Sequence, residues 1–476
     1  MGFDRNVYRF ARRIEMLNRK ESNSQMHIII VGCGKVGSTL VEQLAKEGHS
    51  ITIIDRDSAK IQAITNMYDA MGVVGNGASY NTQMEAGIEK ADLFIAVTDS
   101  DELNLLCCTV AKREGKCVTI ARVRTPEYSK EAAYLKEKLG LEMIINPEFE
   151  TAQIMSRILT LPMAEDITTF AHGYVDMVKF KLPEGNQLDG KRIMDIGKDL
   201  TGNIVICAIE RNGDVFIPSG QFILRGGDLI SFVAGRSDLR KFIRAIGLKT
   251  GQVQNALIVG GGKATYYLGR SLIKQGIKVR VIEIDHKKCE ELSVLLPEAV
   301  IINDDGTNEE VLKEAGISDA QAFIPMTGID EENILLSLHA KQVSEAKVIT
   351  KVTRNNFRAI VSNMDLGSII YPKYITSEAI IAYVRAKNNT KESNIETLSY
   401  MFDSKAEAIE FRVKNDSPVT GKSLAELKLK DNLLIAFIMR KGKIIYPSGS
   451  DMILKGDAVM IVTTHTGFHE IQDILA

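Results

Sequence analysis

The sequence predicts an α/β protein: two Rossmann-like, doubly wound parallel-sheet domains, each followed by a small α+β domain, in tandem repeat. Three observations predict it. A glycine-rich loop closing a short apolar strand, Ile28-Ile-Ile-Val-Gly-Cys-Gly-Lys-Val-Gly37, returns 228 residues later as Ala256-Leu-Ile-Val-Gly-Gly-Gly-Lys-Ala-Thr265. After each loop, continuous apolar strands alternate with helical segments, the pattern of a parallel sheet covered on both faces. Behind each such stretch lie alternating strands around a two-residue turn, Asn212-Gly213 in one copy and Lys441-Gly442 in the other.

In chain order, residues 1–25 form a basic N-terminal extension, with Arg5, Arg9, Arg12, Arg13, Arg19 and Lys20 against Asp4, Glu15 and Glu21. Val7, Phe10, Ile14 and Leu17 fall at the spacing of a basic amphipathic helix, but an unstructured leader or an over-called start site is the favoured reading, since Met26 opens the first strand directly. The first Rossmann unit, 26–148, takes strands at His27–Val31, Ile51–Ile54, Ala70–Val74, Asp92–Val97, Val118–Arg122 and Glu142–Ile145. Its first helix runs from about Val36 to Glu47, where Gly48 supplies a left-handed stop, and another covers Glu102–Arg113.

From about Thr168 the pattern changes to a small domain, 168–249. Val178–Leu182 alternates, Ile204–Glu210 and Val215–Ile217 flank the Asn-Gly turn, Leu229–Val233 is a further strand, and a helix over Ser237–Ile246 closes the module. The second copy covers 253–372 and 394–476. Ala86-Gly87-Ile88 answers Ala315-Gly316-Ile317, and Glu102-Leu-Asn104 answers Glu331-Glu-Asn333. Pro218-Ser-Gly220 and Gly227-Asp228 return as Pro447-Ser-Gly449 and Gly456-Asp457.

The totals exclude several classes. A formal net charge of −2 gives no overall attraction to nucleic acid or to an anionic membrane. No uncharged apolar run approaches the ~18 residues of a membrane span, so a membrane role would be peripheral, and there is no secretory signal. Six cysteines occur without a C-x-x-C pair, as expected of reduced thiols in the cytosol. Cys33 sits inside the first glycine loop, where a small filler side chain is favoured over an oxidation sensor.

The glycine loops carry the chemistry. The first glycine makes a tight turn, the second lets backbone approach a pyrophosphate, and the third lets helix pack on strand. The helix start then offers free N–H groups to phosphate oxygens. In the first copy these are Gly32, Gly34 and Gly37, with Lys35 adding positive charge or facing solvent. Asp55 lies 23 residues after the first glycine, at the end of the second strand. An acid there accepts from ribose hydroxyls and repels a 2′-phosphate, favouring NAD over NADP; Arg56 either softens that preference or is a solvated cation.

In the second copy Gly260, Gly262 and Glu283 hold the same spacing, but Thr265 replaces the third glycine and is expected to crowd the helix–strand contact. Thr98, Asp99 and Arg122 end the fourth and fifth strands on the same side of the sheet, where Thr98 suits ribose or base and Arg122 phosphate. Thr327 and Lys351 match them. Asn76-Gly77 and Asp305-Gly306 end the third strands. No metalloprotease, serine-hydrolase or phosphate-loop motif is present, so no catalytic residue is assigned. No metal ligand is assigned either: His465 and His469 are four apart, but Gly467 lies between them near an expected strand-to-helix junction.

Val31-Gly-Cys-Gly-Lys-Val-Gly37, Asp55, Val97-Thr-Asp99 with Glu102 and Asn104, and Ile120-Ala-Arg122 resemble the regulator-of-potassium-conductance (RCK) domain. The small modules resemble its C-terminal companion, and the N–C–N–C order extends the likeness from Met26 to Ala476. The resemblance implies a cytosolic regulator rather than an enzyme, peripheral on the inner face of the cell membrane. It would bind NAD(H), with ATP or ADP as further candidates. It would assemble as a homo-oligomeric ring beneath a potassium-conducting membrane protein of the Trk/Ktr type, with no nucleic-acid partner. Nucleotide contacts implied by the matching motifs are Gly32, Cys33, Gly34, Lys35, Val36, Asp55, Thr98, Asp99 and Arg122. In the second copy they are Gly260, Gly261, Gly262, Lys263, Ala264 and Glu283. Two other readings fit glycine loop and acid: an NAD-dependent oxidoreductase, or a second-messenger module acting through the small domains.

Overall fold

The computed structural model describes residues 25–196, 203–248, 250–354, 358–361, 364–388 and 393–476; the basic extension therefore lies outside the described residues except for Gln25. The chain divides into two compact units, one ending at Asn146 and the other starting at Pro147.

The first unit is a six-stranded sheet of β1 (His27–Val31), β2 (Ser50–Asp55), β3 (Met71–Val74), β4 (Leu93–Ala96), β5 (Val118–Arg122) and β6 (Met143–Ile145), in the order β3-β2-β1-β4-β5-β6. Every pairing is parallel. Ile28, Ile29 and Ile30 are fully buried, as a central strand covered on both faces requires. Helices α1 (Lys35–Lys46), α2 (Ser58–Thr65), α3 (Tyr80–Glu85), α4 (Asp101–Glu114), α5 (Pro126–Lys130) and α6 (Ala132–Leu139) fill the crossovers. Helix α1 buries Val36, Leu40, Val41 and Leu44, a helical stripe, against the sheet. It begins at Lys35, one residue before the sequence reading placed it. The order of strands reverses between β1 and β4, so the crevice above their carboxyl ends is the switch point where doubly wound sheets take ligands.

The second unit opens with α7 (Pro147–Thr160), then a five-stranded antiparallel sheet of β7 (Asp166–Phe170), β8 (Val175–Lys181), β9 (Ile204–Arg211), β10 (Asp214–Phe216) and β11 (Leu229–Gly235), closed by α8 (Arg236–Ala245). A second parallel sheet follows: β12 (Asn255–Val259), β13 (Lys278–Glu283), β14 (Val300–Asn303), β15 (Ala322–Pro325), β16 (Lys347–Lys351) and β17 (Ser368–Ile370), ordered β14-β13-β12-β15-β16-β17. Its helices are α9 (Lys263–Lys274), α10 (His286–Leu295), α11 (Glu309–Glu314), α12 (Asp330–Val343), α13 (Arg358–Val361) and α14 (Pro372–Asn388). The last sheet holds β18 (Ser393–Met401), β19 (Ala406–Val413), β20 (Leu433–Arg440), β21 (Lys443–Ile445) and β22 (Ala458–Thr463), in the order β18-β19-β22-β20-β21. This repeats the first small sheet strand for strand.

Both hairpin turns carry two residues at positive φ, Asn212 (53°) with Gly213 (85°) and Lys441 (49°) with Gly442 (78°), so lysine takes the asparagine's strained place. The copies differ at their ends. Arg236–Ala245 is a helix, whereas the expected junction near Gly467 leads only to a 3₁₀ turn, Ile471–Ile474. Gly467 sits at φ 78°, which breaks a helix in its first turn.

Several contacts tie the second unit together, two of them apolar at their centre. Helix α7 packs on α9, with Ser156 Oγ 2.9 Å from Ser271 Oγ and the Phe149 ring edge-on to Tyr267 at 5.5 Å. The two small sheets share an apolar core in which Val175, Met177 and Val233 meet Phe437, Met460 and Val462.

Candidate functional site

Each glycine loop is held by the acid at the end of the next strand. Gly32 turns at φ 104° and its N–H donates to the Ile54 carbonyl at 2.8 Å, fastening the loop to β2. The Cys33 N–H then donates to Asp55 Oδ2 at 2.6 Å, and Asp57 N–H to Asp55 Oδ1 at 2.9 Å. In the second copy Gly260 turns at φ 103°, the Gly261 N–H donates to Glu283 Oε2, and Asp285 N–H donates to Glu283 Oε1 at 2.8 Å. The acids thus shape the loops before any ligand arrives. Asp55 stays partly exposed, while Glu283 is buried.

The three glycines of the first loop divide by what surrounds them. A Cβ on Gly32 would press against the Thr98 backbone at 3.1 Å, and one on Gly37 would lie 1.9 Å from the Gly32 carbonyl oxygen. Gly34, the N-cap of α1, would meet nothing within 4 Å, and the same holds for Gly262 at the start of α9. The second glycine therefore faces an open cradle at a helix N-terminus, where N–H groups and the helix dipole favour an anion. Lys35 and Val36 form the first turn behind Gly34, as Lys263 and Ala264 do behind Gly262.

Thr265 does not crowd the second loop as expected. Its hydroxyl donates to the Gly260 carbonyl at 2.5 Å, and the side chain is fully buried. The threonine replaces a close backbone packing with a hydrogen bond across the same gap.

At the far side of the crevice, Thr98 is held by Asn104. Its N–H and hydroxyl both donate to Asn104 Oδ1, at 2.8 and 2.7 Å. Asn104 is fully buried and returns hydrogen bonds to the carbonyls of Thr98 (3.1 Å) and Arg122 (2.9 Å), clamping the ends of β4 and β5 together. Asn333 does the same for Thr327 and Lys351. One residue group earlier, Asp101 accepts from Arg124 N–H (2.9 Å), Thr125 N–H (2.7 Å) and the Thr125 hydroxyl (2.7 Å), and Asp330 repeats this with Thr353 and Arg354. Asn104 entered the sequence reading only as part of a motif, and Asp101 was missed. The signal for both was their recurrence as Asp330 and Asn333. Asp99 is exposed, and its carbonyl receives the Arg124 guanidinium. Arg122 is half-buried at the end of β5.

Burial first, and then the Asp55 charge, push the Cys33 thiol up to about 12. It stays protonated at neutral pH, as a filler side chain would and a reactive thiolate would not. His465 points its Nε2 at the Asp431 carbonyl (2.9 Å) and stacks on Phe468. Among the described residues no group of three His, Cys, Asp or Glu could hold a metal ion, and no helix is long and apolar enough to cross a membrane.

The TrkA-N domain family matches residues 28–147 and 256–372, and the TrkA-C domain family matches 177–247 and 408–476. Over 449 residues the chain is 30% identical to a Trk system potassium uptake protein TrkA homolog of Archaeoglobus fulgidus, covering 94% of this chain and 100% of that one. The chain belongs to the TrkA family. A second TrkA relative, the Trk system potassium uptake protein of Haemophilus influenzae, is 28% identical over 440 residues, covering 92% and 95% of the two chains. The TrkA fold is also that of the GsuK RCK domain, with a TM-score of 0.61 at 17% identity over 92% of both chains. A structure of the GsuK channel bound to NAD gives the same TM-score over 92% of this TrkA-family chain and 77% of that one.

Proposed function

We propose that this chain is a non-enzymatic, nucleotide-responsive regulatory subunit of Trk-type potassium uptake. It binds NAD(H), with ATP or ADP as further ligands, in the crevices above Gly32–Val36 and Gly260–Ala264. It assembles as a homo-oligomeric ring on the inner face of the membrane and gates a separate potassium-conducting protein of the Trk/Ktr type.

The observation that carries the reading is the open cradle at Gly34 and Gly262, each set at the N-terminus of a 12-residue helix and braced by a strand-end acid. A pyrophosphate placed there meets helix N–H groups, and the acid's unused lone pairs face the ribose. The family's name for potassium uptake and the likeness to a channel solved with NAD support the same ligand and role. A ligand in the crevice acts on a pore only if it favours one arrangement of the assembly over another. The Asn104 and Asp101 clamps provide the route, since a shift of the Thr98 loop is passed directly to Arg122, Arg124 and Thr125.

The test is calorimetric binding of NAD, NADH, ATP and ADP to the purified protein and to Asp55→Ala and Glu283→Ala, paired with potassium uptake in cells lacking the gene. Binding that one or both substitutions abolish, no turnover of the nucleotide, and impaired uptake support the reading. Intact binding with unchanged uptake would remove the gating role, and absence of binding would leave the loops as scaffolding.

A further inference from the structure

We propose that the joint between the two small domains carries a recognition code that makes the first domain pair with the second and not with its like. The code is a residue on the face of each sheet set against the hairpin tip of the other domain: Glu410 against Ala171, and Lys179 against Phe402. The inference does not depend on the nucleotide reading above.

The two sheets offer equivalent stations. In the first, Lys179 pairs across the sheet with Asp166 and Ser231; in the second, Glu410 pairs with Thr397 and Met460 at the same places. The hairpins β7–β8 and β18–β19 turn through the same backbone conformation. Ala171, His172 and Gly173 lie at φ 52°, 52° and 96°, and Phe402, Asp403 and Ser404 at 48°, 59° and 64°. Each tip rests on the other domain's station, while Thr168 meets its own equivalent, Ser399, with 3.5 Å between the hydroxyl oxygens. This is the reciprocal contact pattern of a two-fold dimer, made here by two copies that are not identical.

The chemistry at the two stations is opposite. The Ala171 N–H donates to Glu410, 3.1 Å from both carboxylate oxygens, and Glu410 is almost fully buried. A backbone donor facing a buried carboxylate makes a strong hydrogen bond. Lys179 instead stands over the Phe402 ring, its ammonium 5.9 Å from the centroid, a cation on the ring's negative face. Pairing like with like would set Lys179, which only donates, against the Ala171 N–H, and the Glu410 carboxylate against the Phe402 ring. Both contacts are repulsive, and the second leaves a buried carboxylate without its donor. Two further contacts favour the mixed pair: Lys405 Nζ donates to the Gly213 carbonyl at 2.6 Å, and the Gly235 N–H to the Tyr446 hydroxyl at 2.9 Å. Their equivalents in the first domain are Tyr174, without an ammonium, and Ile217, without a hydroxyl.

Because Thr168 and Ser399 face each other, cysteines placed there report the pairing in the full-length chain; the six natural cysteines are buried. With Thr168→Cys and Ser399→Cys together, mild oxidation followed by non-reducing electrophoresis is expected to show a link within one chain. With Thr168→Cys alone, no link between chains is expected. Exchanging the stations, Lys179→Gln with Glu410→Lys, is expected to slow the internal link about tenfold and to bring up a chain-to-chain link through Thr168→Cys alone. Glutamine is chosen because Asp166 already stands beside that station. Glu410→Gln, which keeps an acceptor, should stay within about threefold of the natural rate, whereas Glu410→Met should fall with the exchange. An exchanged chain or a Glu410→Met chain that links internally at the natural rate overturns the inference. So does a chain with natural stations and Thr168→Cys alone that links to its neighbour. If the exchanged chain fails to fold, the comparison of Glu410→Gln with Glu410→Met decides.

Discussion

Gly261 and Glu283 are in close approach: a Cβ on Gly261 would lie 2.9 Å from Glu283 Cγ and 2.7 Å from Leu292 Cδ1, so the acid and the leucine close on the loop only because the loop residue has no side chain. In the first copy the same station holds Cys33, whose buried side chain lies beside Asp55. Gly261→Cys alone should therefore destabilise the second unit by about 1–3 kcal/mol through overpacking. Combined with Leu292→Ala, which removes the nearest of the atoms a Gly261 side chain would meet, the exchange should cost less than it does in the natural chain. Urea unfolding of both singles and the double gives the coupling energy, expected at about 1–2 kcal/mol; additive effects would show that the two positions do not compensate each other.

Gly34 and Gly37 should separate binding from folding. Gly34→Ala adds a methyl group to open space and should cost no more than about 1 kcal/mol at an N-cap, while nucleotide affinity drops because the methyl occupies the cradle. Gly37→Ala drives a methyl into the Gly32 carbonyl and should lower the melting temperature markedly. Thermal unfolding with and without nucleotide distinguishes the two. A Gly34→Ala protein that binds normally would mean phosphates do not lie there.

Asn104→Ala should cost about 2–4 kcal/mol, because it strips partners from buried backbone groups on two strands. Its effect on hydrogen exchange should be concentrated at Thr98 and Arg122, the residues it clamps, rather than spread through the unit. Uniform deprotection would indicate a general core residue instead.

The Arg385–Glu407 pair is almost fully buried, with both terminal guanidinium nitrogens 3.1 Å from carboxylate oxygens. Arg385→Met should destabilise by about 3–5 kcal/mol by leaving the carboxylate unpaired, whereas Arg385→Met with Glu407→Leu should be close to neutral. Chemical denaturation of the single and double variants checks the sign.

Burial lowers the Lys347 ammonium to about 8 from 10.5, with Glu165 opposing and Lys341 assisting. A base with a depressed folded value destabilises the fold below that value, and the penalty fades as pH rises from about 8 to 10.5. Lys347→Met should then stabilise the protein at pH 7 by about 1–3 kcal/mol and flatten its stability between pH 8 and 10. The Ala164 carbonyl that Lys347 meets at 2.6 Å keeps a second donor in Ser368. An unchanged pH profile in the variant would place the titration elsewhere.

The parallel sheets were legible in the sequence because their strands are buried on both faces and read as unbroken apolar runs, as Ile28–Val31 does. The repeat was legible because turn-forming glycines recur at fixed spacing. Less was visible where side chains settle contacts locally. Nothing in a list of residue types says that Thr265 donates to a carbonyl rather than crowding it. Strand β7 begins two residues before the pattern change at Thr168, since Asp166 and Ile167 pair with β8 only once the sheet exists. The missing terminal helix of the last module follows from one backbone torsion at Gly467, which the sequence shows as a glycine but not as a left-handed one. At the site, glycines and acids were visible as types; that the acids hold loop N–H groups was not.

Helix α7 follows the first Rossmann sheet in the chain yet packs on the first helix of the second one. The unit of duplication and the unit of folding are consequently different objects. A fragment cut at the repeat boundary near residue 250 would take α7 away from its seat on α9, whereas the boundary at Asn146 and Pro147 leaves that seat filled. Anyone exchanging modules between members of this family should cut there, where helix α7 stays with the sheet it packs on.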